Sequence, residues 1–314
     1  MAVMTSADVL KANNSEELVG LIEDVVQEIP EIKFFAASPV QKNTYKTLSL
    51  TGLPKTGFRE TGTLREFQAA TLATRTIECK YLDASWILEK AVAQQADWGE
   101  DFAKALTQRA HLKSEFFTLA RQIWKGVDAD SNGFVGLDAI IDAVVDGDKK
   151  EMVVSANTGT ITDASTVYAV RTGIDSCQLA WGSMGAFNES EVREQLLTSG
   201  EGAGTSGAWF YTQDLGGWVG LQVTSKYAAG KITGLSATNT KQGLNDDLLY
   251  ELIERFPVGM KPDGLFMSRR SFAQLRQSRT AYNPIGAPAP YVQEFEGIPI
   301  YVTDAISNNE TISA

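Results

Sequence analysis

The stretch DWGEDFAKALTQRAHLKSEFFTLARQIWKG, residues 97–126, organises the rest of the chain. Trp98, Phe102, Leu106, Phe116, Ile123 and Trp124 lie along one face at helical spacing. Asp97 is placed to cap the start, with Glu100 three positions on. Lys125 and Gly126 put a cation and a terminating glycine at the other end. A helix over 97–125 at 1.5 Å per residue runs roughly 40 Å, far beyond an average helix of ~11 residues. It is a structural spine.

The segment before it, residues 42–82, reads as two strands. KNTYKTLSL (42–50) and TLATRTIECKYL (71–82) are rich in Thr, Tyr, Leu and Ile, and TGLPKTGFRETGTL (51–64) separates them with Gly, Thr and one Pro. A lone two-stranded ribbon is marginal in water and wants a partner surface. That surface is either the chain's own core or another molecule. Further upstream, Leu18, Leu21, Ile22, Val25, Val26 and Ile29 predict an amphipathic helix, with Asn14 as N-cap, Glu17 behind it and Pro30 as its stop.

The chain after the spine is β-rich. STVYAVRTG (165–173), SCQLAWG (176–182) and the run 208–235 have strand composition broken by Gly, while 189–207 is polar and Gly-rich and reads as a loop. Leu244, Leu248, Leu249, Leu252, Ile253 and Phe256 predict a helix that stops before Pro257. GLFMS (264–268) reads as a short buried strand, SRRSFAQLRQSR (268–279) as a second helix and EGIPIYVTDAI (296–306) as a final strand. The fold class is mixed α+β, with no sustained βαβ alternation and no repeat.

Length and charge narrow the function. At 314 residues one or two domains are expected, and 43% hydrophobic content suffices for a core. The net charge of −11 argues against gripping nucleic acid or docking on an anionic membrane. No apolar run approaches the ~20 residues that span a bilayer. The N-terminus shows no basic region followed by an apolar stretch, so no secretory signal is visible. Cys79 and Cys177 are far apart and outside any CxxC, which suits two buried reduced thiols.

The candidate chemistry is thin. Asp128, Asp130, Asn132 and Gly133 imitate the start of a calcium loop, but its twelfth position, which should be a bidentate Glu, is Ala139. An Asx-rich turn is the simpler reading. His111, the single histidine, sits inside the spine, and GSMG (182–185) does not match a nucleophile elbow. With one histidine a zinc site is improbable. GLPKTG (52–57) and GEGAGTSG (200–207) fit neither a phosphate loop nor a dinucleotide fingerprint. Arg269, Arg270, Arg276 and Arg279 suit pairing with carboxylates, those of a neighbouring copy included, better than phosphate binding. No catalytic, cofactor-binding or metal residue is assigned, and no cofactor is expected.

The order of elements, with NGFVGL (132–137), STVYAVRTG (165–173), YTQDLGGWVGLQV (211–223), PDGLFMSRRSFAQLRQSR (262–279) and EFEGIPIYVTDAI (294–306), resembles tailed-phage major capsid proteins of the Hong Kong 97-type fold, in the short-tailed, epsilon-fifteen-like branch. The resemblance implies an N-terminal arm (1–41), an extended E-loop (42–82) overlapping a neighbour, a peripheral domain (83–240) and an axial domain (241–314), in a topology that is permuted relative to the best-known member. It implies no enzyme but a virion protein, assembled in the host cytoplasm into hexamers and pentamers of an icosahedral shell around double-stranded DNA, by way of a precursor shell that expands. The implied partners are copies of itself, then scaffold, cement or decoration, and portal proteins, with DNA held by non-specific proximity and no membrane. Some families of this fold link a Lys to an Asn between subunits; Lys46 and Lys55 lie in the ribbon, without a motif for it. The alternatives are an encapsulin-like compartment or, in another class, a hydrolase or calcium-binding enzyme using His111 or Asp128.

Overall fold

The chain is described from a computed structural model, over residues 28–64, 68–146, 149–157, 159–185, 187–199, 206–236, 238, 242–281 and 290–312. The helix expected over 14–29 lies outside these residues apart from its end, as does the glycine-rich run 200–205. The first part of the chain carries α1 (Glu31–Phe34), β1 (Ala37–Pro39), β2 (Thr44–Gly52), β3 (Thr71–Glu78), β4 (Lys80–Asp83), β5 (Trp86–Glu89) and α2 (Lys90–Ala93). The spine is α3 (Glu100–Lys125), and α4 (Leu137–Asp142) follows it. Then come β6 (Val145–Asp146), β7 (Lys149–Lys150), β8 (Val153–Ser155), β9 (Ile161–Val170), β10 (Cys177–Trp181), β11 (Phe187–Glu189), β12 (Arg193–Ser199), β13 (Ser206–Gln213), β14 (Leu215–Val223) and β15 (Ala229–Ser236). The last part holds α5 (Asp246–Glu254), β16 (Gly264–Met267), α6 (Arg269–Ala281), β17 (Glu294–Phe295), β18 (Ile298–Val302) and β19 (Glu310–Ile312).

Two large sheets share the spine. A five-stranded sheet is ordered β1-β10-β14-β11, with β4 also paired to β14. A mixed seven-stranded sheet is ordered β17-β18-β16-β9-β15-β8, with β19 added to β9. The chain alternates between them: β9 belongs to the second, β10 and β14 to the first, and β15 to the second again. The seven-stranded sheet therefore takes strands from both sides of residue 240, and a clean division of the chain there does not match its hydrogen bonding. Strand composition reveals that a strand exists but not which strand it pairs with. β19 also follows the strand expected to be final.

The C-terminal half of α3 enters the main core. Leu119, Ile123 and Trp124 are fully buried. The Trp124 indole stacks on Tyr168 of β9 at 4.7 Å and meets Phe266 of β16 at 4.9 Å. A buried Trp of this size contributes apolar area worth roughly 2–3 kcal/mol. Its Nε1–H donates to Glu31 Oε1 at 2.8 Å, and Thr303 Oγ1 donates to the same oxygen at 2.5 Å. Burial raises the Glu31 carboxyl pKa above its ordinary value. The other end of α3 rests on a second core of Trp86, Leu88, Ala103, Tyr211 and Leu215.

The ends of the spine differ from expectation at one point. Its N-cap is Gly99, at φ 89°, with no side-chain cap, so Asp97 does not serve as the cap and the helix begins at Glu100. The left-handed backbone at Gly99 admits glycine easily and resists an aspartate. The C-terminal glycine is as expected: Gly126 has φ 59° and its N–H bonds to Gln122 O.

Candidate functional site

Two features of the surface lack a covering among the described residues. The first is the ribbon of β2 and β3, antiparallel from Thr44↔Glu78 to Gly52↔Thr71. β2 alternates exposed and half-buried residues along most of its length. Leu50 faces Leu72 across the ribbon, at 57% and 56% exposure, and Leu48 stands beside them at 61%. Beyond the strands, Leu53, Phe58 and Leu64 are almost wholly in water. Exposed apolar side chains in such density mark an interaction surface rather than scattered surface leucines. Near its root the ribbon is tied to the five-stranded sheet and its exit: Tyr45 OH donates to Gln222 Oε1 at 2.6 Å and Arg75 to Val223 O at 3.3 Å.

The second is a groove of about 580 Å³ between α3 and the five-stranded sheet, lined by Pro39, Leu112, Phe116, Trp181, Met184 and Phe187. A second depression, lined by Ala105, Gln108, Arg109 and Lys113, shares Leu112 and Phe116 with it. Phe116, Trp98 and Phe102 of the helical face read from sequence are each more than a third exposed. The apolar face of the spine is thus longer than the core that covers it.

A third surface was not legible as such. Residues 193–199, expected to fall in the loop 189–207, form β12, the antiparallel partner of β13, whose residues from 208 on lie in the expected strand run; the hairpin pairs through β13 with β5. Charged residues and a glycine-rich connection hid the first strand. Leu196 faces Trp209 across it, both about half exposed.

The other candidates resolve individually. At the calcium-like turn Asn132 N–H donates to Asp130 Oδ1 at 2.9 Å, an Asx turn. Gln122 of the spine donates to Phe134 O at 2.7 Å and fills the space a side chain at Gly133 would need. Among the described residues no group of His, Cys, Asp and Glu is arranged to hold a metal. His111 is half-exposed on α3. Ser183 Oγ donates to Asn43 Oδ1 at 3.4 Å, and no hydrogen bond among the described residues joins it to His111. Cys79 and Cys177 are both free and buried, and burial raises both thiol pKa values. Lys46 lies within β2 opposite Thr76, and Lys55 beyond its end. GLPKTG spans the outer end of β2, with no helix after it among the described residues.

Two of the four arginines pair with carboxylates of the chain itself. Arg279 donates through Nε and Nη2 to Asp246 at 2.7–3.0 Å. Arg269 reaches Asp304 at 2.8 Å. Arg276 lies over the Tyr291 ring at 5.8 Å.

An ionic cluster at the end of the spine was not foreseen. Lys231, 3% exposed, pairs with Asp138 at 2.5 Å and Asp142 at 2.8 Å. Lys125 bridges Asp138 at 3.1 Å and Glu310 at 3.0 Å. Burial pushes the Asp138 carboxyl up, but Lys231 and Lys125 outweigh it and hold the pKa below the usual range. For Glu310 burial prevails over Lys125 and the pKa is raised. The cluster joins α3, α4, β15 and β19, and Lys150 extends it by pairing with Asp142 at 3.2 Å.

Among the described residues no helix is long and apolar enough to cross a membrane. No family model matches the sequence, and no curated protein does. Among solved structures, a chain in the near-atomic structure of bacteriophage Epsilon15 superposes at a TM-score of 0.71, covering 100% of this chain and 98% of that one at 15% identity. The chain has the Hong Kong 97-type capsid fold. A chain of the bacteriophage JBD30 capsid superposes at 0.53, with 97% of this chain and 99% of that one covered at 12% identity. Identities this low carry the fold; function is argued from the surfaces the fold presents.

Proposed function

We propose that the chain is a major capsid protein that self-assembles into hexamers and pentamers of an icosahedral shell around double-stranded DNA. The observation that carries this reading is the ribbon: a capsid fold that extends paired leucines uncovered by any other described residue. A second copy covers them. Repeated in a closed lattice, modest contacts give a stable shell through effective concentration.

In this reading residues 1–41 are the N-terminal arm and 42–82 the E-loop. The axial unit is the seven-stranded sheet with α5 and α6, so it draws β8, β9 and β15 from before residue 240. The peripheral unit is the five-stranded sheet with the spine and the β12–β13 hairpin. The role requires no catalysis, places the protein in the virion, and makes scaffold, decoration and portal proteins its natural partners. The net charge of −11 lets packaged DNA lie close without sticking.

Electron microscopy of the purified chain tests the proposal. Rings, tubes or hollow shells support it. Shells that carry protein cargo and no DNA when isolated from their host point to a compartment instead. A discrete small enzyme-like oligomer under every condition contradicts it.

A further inference from the structure

We propose that Glu115 is a proton-operated latch between the spine and the five-stranded sheet: the helix seats on the sheet while the carboxyl is neutral and loosens when it ionises. Glu115 lies on the buried stripe of α3, in line with Leu112, Leu119 and Gln122. It is 4% exposed, and among the described residues neither carboxyl oxygen has a hydrogen-bond partner. Gln122, the other buried polar side chain of this stripe, donates to Phe134 O at 2.7 Å. A polar group left this way in the interior is costly, and a charge far more so.

The groups set against Glu115 sharpen the point. Across from it on β4 stand Asp83 and Tyr81, and Asp214 acts on the same tyrosine. Among the described residues, the charge acting on the Glu115 carboxyl is the Asp83 anion, with no cation opposing it. Burial, and then the Asp83 charge, push its pKa up to about 7. An unfolded chain holds the same carboxyl at its ordinary value of 4.5. Between these values the folded state binds the proton and the unfolded state does not. Stability therefore falls as pH rises through this window and levels off above it. The helix–sheet contact is tightest in mild acid and weakest above neutrality. The inference rests on one chain alone and stands independently of the shell.

The test is urea unfolding of the full chain, at concentrations where it is unassembled, from pH 5 to 8, for the wild type, Glu115→Gln and Asp83→Asn. Relative to Glu115→Gln, the wild-type unfolding constant is expected to rise by on the order of 50- to 100-fold across that range. Asp83→Asn is expected to give a smaller rise than the wild type. Parallel pH profiles for wild type and Glu115→Gln overturn the proposal. Should Glu115→Gln fail to fold, infrared spectroscopy of the wild type and Asp83→Asn decides. A protonated-carboxyl band that titrates away near pH 7, and at lower pH in Asp83→Asn, supports the latch. No band at pH 6, or one that Asp83→Asn leaves unmoved, as a band from the buried Glu31 or Glu310 would be, overturns it.

Discussion

Gly126 and Gly136 meet backbone to backbone where the chain turns off the spine. A Cβ on Gly136 would lie 2.3 Å from the Gly126 nitrogen, and one on Gly126 2.0 Å from the Gly136 nitrogen. Backbone cannot yield as a flexible side chain can. Gly136→Ala is therefore expected to lower the free energy of unfolding by roughly 2–4 kcal/mol, read by urea titration. Asp138 is the second critical residue, because it joins Lys231, Lys125 and the Tyr168 hydroxyl. Asp138→Asn leaves Lys231 buried with Asp142 as its remaining carboxylate, and about 3–5 kcal/mol is expected to be lost at neutral pH. The sign with pH follows from the lowered pKa. The contribution of Asp138 is complete above its unfolded value of 3.8 and disappears as pH falls through the lower folded value. The gap between wild type and Asp138→Asn is thus expected to close in strong acid. A gap that persists there contradicts the assignment.

At the scale of elements, the ribbon and the spine separate folding from assembly. Leu50 and Leu72 face each other in water, so Leu50→Asp with Leu72→Asp is expected to change the stability of the single chain by no more than about 0.5 kcal/mol per site. The same pair is expected to abolish assembly, which light scattering reads directly. The ribbon was legible because Thr, Tyr and Leu alternate on either side of a Gly- and Pro-marked connection. The spine was legible because its apolar residues keep helical spacing through to Trp124. The N-cap was missed because Gly99 caps by backbone shape alone. Strand β12, and with it the β12–β13 hairpin, was missed because Arg193 and Glu194 open the strand and polar glycine-rich sequence follows. The ionic cluster was out of reach for another reason. Lys125, Asp138, Lys231 and Glu310 are spread over the chain, and no local spacing announces a contact set by sheet topology.

At the scale of the whole molecule, uncovered apolar surface and net charge act against each other. Copies carrying −11 repel, while the ribbon and the spine groove attract. Added salt screens the repulsion over a Debye length of about 10 Å at 0.1 M and spares the apolar contacts. Association is therefore expected to strengthen as ionic strength rises, and association that weakens steadily with salt assigns the contacts to ion pairs instead. The most direct measurement is sedimentation velocity of the wild type beside the Leu50→Asp, Leu72→Asp variant, over rising concentration in moderate salt. The account predicts that the wild type passes into rings or shells while the equally folded variant stays a single chain. Identical sedimentation of the two, with the ribbon amides of the single chain protected from hydrogen exchange, would contradict it.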